Sequence, residues 1–310
     1  MARTVSERAP YAKGLAECLG ALFMKVMQQR MRKPYAESFA ERLAKMAAKP
    51  KLDVQVCDHC NLRCAGCLHF APLAKKRFLD LDEYAHDLEA LAAIDGIEGY
   101  FGSIVLMGGE PLLHPNIVEV VRTTRSRLPN ENIDLCTNGL LLKRTGDDFW
   151  DAIAECGVRI AISPYPIKIN YEELARLVRS KGARAEFAGD ITGAAKDKQE
   201  FIHLALDPEG KCDPVRSFAS CPFGGCFMQL SRGAIWPCQV SALHGAFARR
   251  FGYGMRDEPE DSLALGVIGS ADDIEDFRRK PHPMCRYCDN DALTVAPWGQ
   301  SEFLAEEWLS

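Results

Sequence analysis

The feature that most constrains this chain is one short run, Cys57-Asp58-His59-Cys60-Asn61-Leu62-Arg63-Cys64-Ala65-Gly66-Cys67. It follows Leu52–Val56, which reads as a strand. Thiols this dense on one loop imply a metal site or a disulfide knot. The chain has 13 cysteines, an odd number, so complete disulfide pairing is impossible. Its start shows no secretory signal, because the longest apolar stretch is short and carries Glu17. A reducing, cytoplasmic setting is therefore expected, where clustered cysteines mean metal more often than disulfide. Two arrangements stay open from the residues alone. Cys57 and Cys60 can pair with Cys64 and Cys67 as a closed zinc knot. Alternatively, Cys60, Cys64 and Cys67 give three thiolates to an iron–sulfur cube, whose fourth iron stays open to a small chelating molecule.

The surrounding pattern decides which scaffold carries the loop. From residue 51, strands are predicted at 52–56, 103–107, 133–137, 158–163 and 184–187, with 202–206 as a sixth. Helices are predicted at 81–94, 115–127, 147–155 and 171–180. Strand–helix alternation implies a parallel sheet with crossover helices, and five or six units make a partial barrel, not a full eight-unit one. Beyond Asp207 the chain turns rich in Cys, Gly and Pro, with a hairpin at 227–237 and a short helix at 271–280. That part has too little periodic apolar sequence for a large core of its own and needs a staple. Three segments result: a helical extension at 1–50, a barrel at 51–207 and a small α+β domain at 208–310.

Charge is uneven. Residues 1–51 hold 11 Lys and Arg against 4 Asp and Glu, although the whole chain is at −5. Leu15, Cys18, Leu19, Leu22, Phe23, Val26 and Met27 repeat at helical spacing. This amphipathic helix can pack on the barrel, lie on an anionic membrane or dock a partner. The acidic balance argues against nucleic acid as the main partner. No apolar run nears the roughly 20 residues of a transmembrane span.

Cys60-Asn61-Leu62-Arg63-Cys64-Ala65-Gly66-Cys67 resembles the signature of the radical S-adenosylmethionine (radical SAM) superfamily, and two later motifs agree. Gly108-Gly109-Glu110-Pro111, after the second strand, resembles the turn that binds the amino group of the methionine moiety. Glycines allow close backbone approach, and a carboxylate offsets an ammonium. Thr137-Asn138, after the third strand, and Ser163, after the fourth, fall where the family meets the ribose or the methionine carboxylate. The resemblance covers residues 50–207. The family often has an aromatic residue before the last cysteine, and here Gly66 stands there. Contact with the adenine would come from Leu68, His69 or Phe70, so no aromatic role is carried over; of the two histidines near the loop, His59 and His69, the latter, just past Cys67, is the better candidate for a functional contact. Cys57 is read as a buried strand-end thiol.

Cys221, Gly233, Cys238, Cys285 and Cys288 resemble the twitch domain, a short relative of the SPASM pattern. The resemblance implies a closed auxiliary [4Fe-4S] cluster on those four cysteines, beside the open [4Fe-4S] cluster that binds S-adenosylmethionine. Structural zinc is the competing reading for the same four thiols. Cys212 is unassigned. Cys226 is an inert hairpin thiol, a substitute ligand or a hydrogen donor to a substrate radical. Cys136 and Cys156 read as packing residues.

The resemblance implies an enzyme that reductively cleaves S-adenosylmethionine and abstracts hydrogen from an unactivated C–H bond. An external one-electron donor such as flavodoxin or ferredoxin is implied. With a closed auxiliary cluster as electron acceptor, the outcome is two-electron oxidation of a small sugar, amino sugar or aminocyclitol. The alternatives are an epimerase using Cys226, a peptide-modifying enzyme, and a non-enzymatic zinc protein. The molybdopterin-forming cyclase is set aside, because its basic, glycine-containing tail does not match the acidic, aromatic Glu302–Ser310. The 13 acidic residues from Arg256 onward, against 5 basic ones, suit a cationic amino sugar or simply make a solvated face.

Overall fold

The computed structural model describes residues 33–187 and 200–310. The amphipathic stretch Leu15–Met27 lies outside them. The strands are β1 (Lys33–Pro34), β2 (Lys51–Cys57), β3 (Ser103–Gly108), β4 (Ile133–Thr137), β5 (Arg159–Ile162), β6 (Arg184–Phe187), β7 (Glu200–His203), β8 (Phe227–Ser231), β9 (Ala234–Trp236), β10 (Leu263–Ala264) and β11 (Thr294–Pro297). They form an eight-stranded sheet in the order β10-β9-β8-β2-β3-β4-β5-β6 and a three-stranded sheet in the order β1-β11-β7. Strands β2 to β6 are parallel neighbours joined through helices, which is the expected partial barrel.

Side-chain alternation builds the barrel wall. Leu52, Val54 and Val56 of β2, Ile104 and Leu106 of β3, Ile133 and Leu135 of β4, and Ile160 and Ile162 of β5 enter one hydrophobic core. The helices complete it. Leu81–Ala92 buries Tyr84, Leu88 and Leu91, and Ile117–Arg127 buries Ile117, Val120, Val121 and Thr124. Both repeat at helical spacing. The Asp80 carboxylate caps the first of these by accepting from the amides of Asp82 and Glu83, at 3.0 Å each. The alternate residues of the strands face the barrel interior.

Two departures from the expected layout affect the site. The sixth strand runs over Glu200–His203 and leaves the barrel sheet for β11, in antiparallel register. An apolar run at 202–206 cannot itself choose between sheets. The hairpin β8–β9, expected in a separate domain, instead extends the barrel sheet. Strand β8 lies parallel to β2, with Lys51 opposite Phe227 and Val54 opposite Leu230. A second core lies beneath, with Phe70 from the cysteine loop packed among Leu204, Leu206, Phe247, Met284 and Trp308. Residues after 207 thus share a core with the first cysteine loop. The extension contributes Phe39–Ala47, a helix with a Ser38–Glu41 capping box.

Candidate functional site

Parallel strands end together, and the motifs stand at those ends. Strand β2 stops at Cys57, β3 at Gly108 and β4 at Thr137. The glycine pair seats the cysteine loop. A Cβ on Gly109 would lie 2.0 Å from the His59 carbonyl oxygen, and one on Gly108 2.4 Å from that of Cys57. Gly108 also has φ +138°, which L side chains rarely adopt. In place of side chains there are two hydrogen bonds. The Gly109 amide donates to the Cys57 carbonyl (2.7 Å) and the Glu110 amide to that of His59 (3.1 Å).

Glu110 is 1% exposed and braces the strand ends. It accepts from the Thr137 hydroxyl (2.7 Å), the Asn138 amide (2.9 Å) and the Leu112 amide (3.1 Å). Burial nonetheless pushes its carboxyl up to about 7. Asn138 donates to the Asn61 side-chain oxygen at 2.7 Å, tying β4 to the cysteine loop. The Ser163 amide donates to the Thr137 carbonyl at 2.9 Å. The His69 Nδ1 N–H donates to the Gln55 side-chain oxygen at 2.9 Å, and burial pushes the ring down to about 4. Phe70 is fully buried in the second core.

The three loop thiols share one environment. Burial raises the Cys60 thiol above its usual range, and Glu110, Cys67 and Cys64 add to that through their charges, while the Leu62 amide opposes it. Tyr165 lies close enough to feel Cys64, Cys67, Cys136 and Cys60 together, although burial is the larger cause of its raised value. Cys57 stands apart, 1% exposed, with its thiol donating a hydrogen bond to the His59 carbonyl at 2.9 Å. Gly66 has φ +65°, and a Cβ there would lie 2.8 Å from the His203 ring and 3.1 Å from the Glu307 carbonyl. An aromatic residue has no room at this position.

The fold brings the second set together from three segments. Cys221 follows the helix Pro214–Ser220, Cys238 follows β9, and Cys285 and Cys288 flank a short turn. Burial raises Cys288, and Cys238, Cys221, Cys285 and Cys212 raise it further through their charges. Burial pushes Cys285 up to about 11. Buried thiols crowded against one another are costly to ionise, and a bound cation removes that cost. Thiols without carboxylates suit soft metals, as iron–sulfur clusters or zinc. In this sense both donor sets fit a cluster. Among the described residues, no three His, Cys, Asp or Glu side chains are arranged to hold a single metal ion.

Cys226 is not brought to the strand ends. Its carbonyl accepts from the Lys51 amide at 2.9 Å, at the start of β2. Six strand steps, about 20 Å, separate that level from Cys57. Its sulfur accepts from the buried Arg42 guanidinium at 3.3 Å.

Several site residues escaped the sequence reading. Asp53 is 2% exposed, faces the barrel interior and accepts from the Gln239 amide. Burial pushes it up to about 7. Gln229 lies directly across from it on β8, fully buried. Gln55 continues the same face of β2. A polar column on a strand of a parallel sheet is the signal that marks them, because such strands are ordinarily apolar throughout. Cys136, expected to pack, faces the interior instead, with its sulfur 4.0 Å from the Ser163 hydroxyl.

The radical SAM superfamily profile matches residues 54–197. GTP 3′,8-cyclase of Alkaliphilus metalliredigens (strain QYMF) is 29% identical over 157 residues, 50% of this chain and 44% of that protein. The protein of that name from Heliobacterium modesticaldum (strain ATCC 51547 / Ice1) is 40% identical over 95 residues, 30% of this chain and 28% of its own length. The chain thus spans less than half the length of these curated relatives. Among solved structures, BtrN in complex with AdoMet and 2-DOIA aligns over 78% of this chain and 93% of its own, at 15% identity and TM-score 0.46. The anSMEcpe structure with bound AdoMet aligns over 44% of this chain and 42% of its own, at 20% identity and TM-score 0.33. Among the described residues, no helix is long and apolar enough to cross a membrane.

Proposed function

We infer that this chain, which carries a radical SAM domain over residues 54–197, oxidises a small polyhydroxylated molecule, a sugar, amino sugar or aminocyclitol, by two electrons. Cys60, Cys64 and Cys67 would hold the cluster that binds S-adenosylmethionine, and Cys221, Cys238, Cys285 and Cys288 an auxiliary one. Together these groups supply one-electron cleavage of S-adenosylmethionine, hydrogen abstraction from carbon, and an acceptor for the remaining electron. An external donor such as flavodoxin or ferredoxin would provide the initiating electron. Asn138 positions Asn61 and the loop, and Glu110 holds the ends of β3 and β4 together. Ser163 and His69 are assigned as further contacts to S-adenosylmethionine.

The observation that carries the substrate class is the polar column Asp53, Gln55 and Gln229 inside the barrel. The buried Gln229 side-chain oxygen has no hydrogen-bond partner among the described residues and would accept from a ligand hydroxyl or amino group, while Gln55 and Asp53 are held in place by His69, the Cys57 carbonyl and Gln239. The buried place of Cys226 at the far end of β2 weighs against the epimerase.

A second reading is a cyclisation of GTP. The curated relatives named GTP 3′,8-cyclase support it, on segments of at most half of this chain.

The test is anaerobic turnover with S-adenosylmethionine and a strong reductant, followed by mass spectrometry. The proposal expects 5′-deoxyadenosine together with loss of two hydrogens from a polyol or amino sugar, unchanged in Cys226→Ala. Consumption of GTP with 5′-deoxyadenosine formation would instead establish the second reading. Loss of product in Cys226→Ala would restore the epimerase.

A further inference from the structure

The acidic, aromatic C-terminal segment has no part in the assignment above, yet it is built onto the first cysteine loop. The Ala65 amide donates to the Gly299 carbonyl at 2.9 Å and the Ser301 amide to the Arg63 carbonyl at 2.8 Å. Cys64 and Gln300 form an antiparallel bridge. The Arg63 guanidinium donates to the Gln300 side-chain oxygen at 3.1 Å and lies over the Phe303 ring. The Trp308 indole, fully buried, donates to the Cys67 carbonyl at 3.0 Å. Finally, the Trp298 indole nitrogen donates to the Cys64 sulfur at 3.1 Å. The tail therefore grips the loop backbone on both sides of Cys64 and puts one N–H on a thiol.

We propose that Trp298 is a positioning residue of the first cysteine centre, whose indole N–H stabilises electron-rich sulfur at Cys64 and so raises the reduction potential of the cluster held there. The inference rests on reading Cys60, Cys64 and Cys67 as the ligands. Its physical basis is general. Reduction adds negative charge that spreads onto the ligand sulfurs, and a hydrogen bond to such a sulfur favours the reduced form. Cys64 is 7% exposed, so water offers little substitute for the indole. The ring is held from other sides too, lying edge-on to Tyr165 with centroids 6.1 Å apart. Trp308 makes the informative contrast, because its N–H goes to a backbone oxygen and not to sulfur.

The experiment is a redox titration of the reconstituted full chain by electron paramagnetic resonance, following the signal that changes on adding S-adenosylmethionine. Trp298→Phe keeps a ring and removes the donor. The expected result is wild-type iron content with a potential shifted negative by about tenfold in the reduction equilibrium, about 59 mV for one electron. Trp308→Phe should leave the potential in place. An unshifted Trp298→Phe potential would overturn the inference while leaving the ligand assignment intact. Should Trp298→Phe fail to keep iron, Trp298→His restores a ring N–H and carries the test. Wild-type potential supports the inference, and a shift or lost iron overturns it. If the wild-type chain itself gives no signal sensitive to S-adenosylmethionine, the ligand reading fails and the inference falls with it.

Discussion

The two cysteine sets solve the same problem in opposite ways. The first lies within eight residues on one loop, seated by glycines and hydrogen-bonded by Leu62 of the loop itself and by Asn138 and Trp298 from outside. The second is gathered from three segments spread over residues 221–288 and is buried mainly by its own neighbours. A local set needs its surroundings to hold the loop still. A distributed set needs the fold to exist first, and in return ties β9, the turn at 285–288 and the helix Pro214–Ser220 together. On the proposed reading, three thiols would leave one iron of a cluster open to a ligand, whereas four would close it. The proposed function gives the first set the start of the chemistry and the second the carriage of charge.

The contrast breaks hardest at Gly109. Gly109→Ala would drive a methyl group into the His59 carbonyl at 2.0 Å. We expect a destabilisation of about 3 kcal/mol and loss of iron from the first set, with the second still loaded. Thermal unfolding with iron analysis checks this, and equal iron loss from both sets would show that they are not independent.

Asp53 sharpens the contrast, because through Gln239 it connects β2, which leads to the first set, with the residue after Cys238. Its carboxyl is raised by burial from 3.8 to about 7, so the folded state holds a proton that the unfolded state releases. The stability from this group is therefore full below about 4 and is lost as pH rises through 7, a change of a few kcal/mol at most. Asp53→Asn removes the ionisation. Relative to wild type, the variant should lose less stability between pH 4.5 and 7.5 in denaturant titrations. A parallel pH profile for the two proteins would mean that Asp53 ionises freely.

Much of this was legible in the sequence, for reasons that individual residues show. The loop Cys60–Cys67, the turn Gly108–Glu110 and the pair Thr137-Asn138 are contiguous, and strand periodicity puts them at one end of the sheet. The second set was legible through its Cys-x-x-Cys pair and the spacing around Gly233. What escaped depends on distant partners. Nothing in Ile202–Leu206 tells that β11 will claim it. Nothing near Trp298 announces Cys64, more than two hundred residues away in the chain. Asp53 and Gln55 were visible as polar breaks in an apolar strand, yet only the register of β8 puts Gln229 beside them. Tyr165 sits two residues past Ser163, where an aromatic at a strand end was a readable signal.

The central claim is that both sets hold iron–sulfur clusters and that they are separable. Anaerobic iron and sulfide analysis of the reconstituted chain tests it most directly. The account predicts about eight irons per chain, falling to about four in Cys60→Ala and again in Cys288→Ala, with 5′-deoxyadenosine formation abolished only in Cys60→Ala. Two zinc ions and no iron in the wild-type chain, or 5′-deoxyadenosine formation that survives Cys60→Ala, would contradict it.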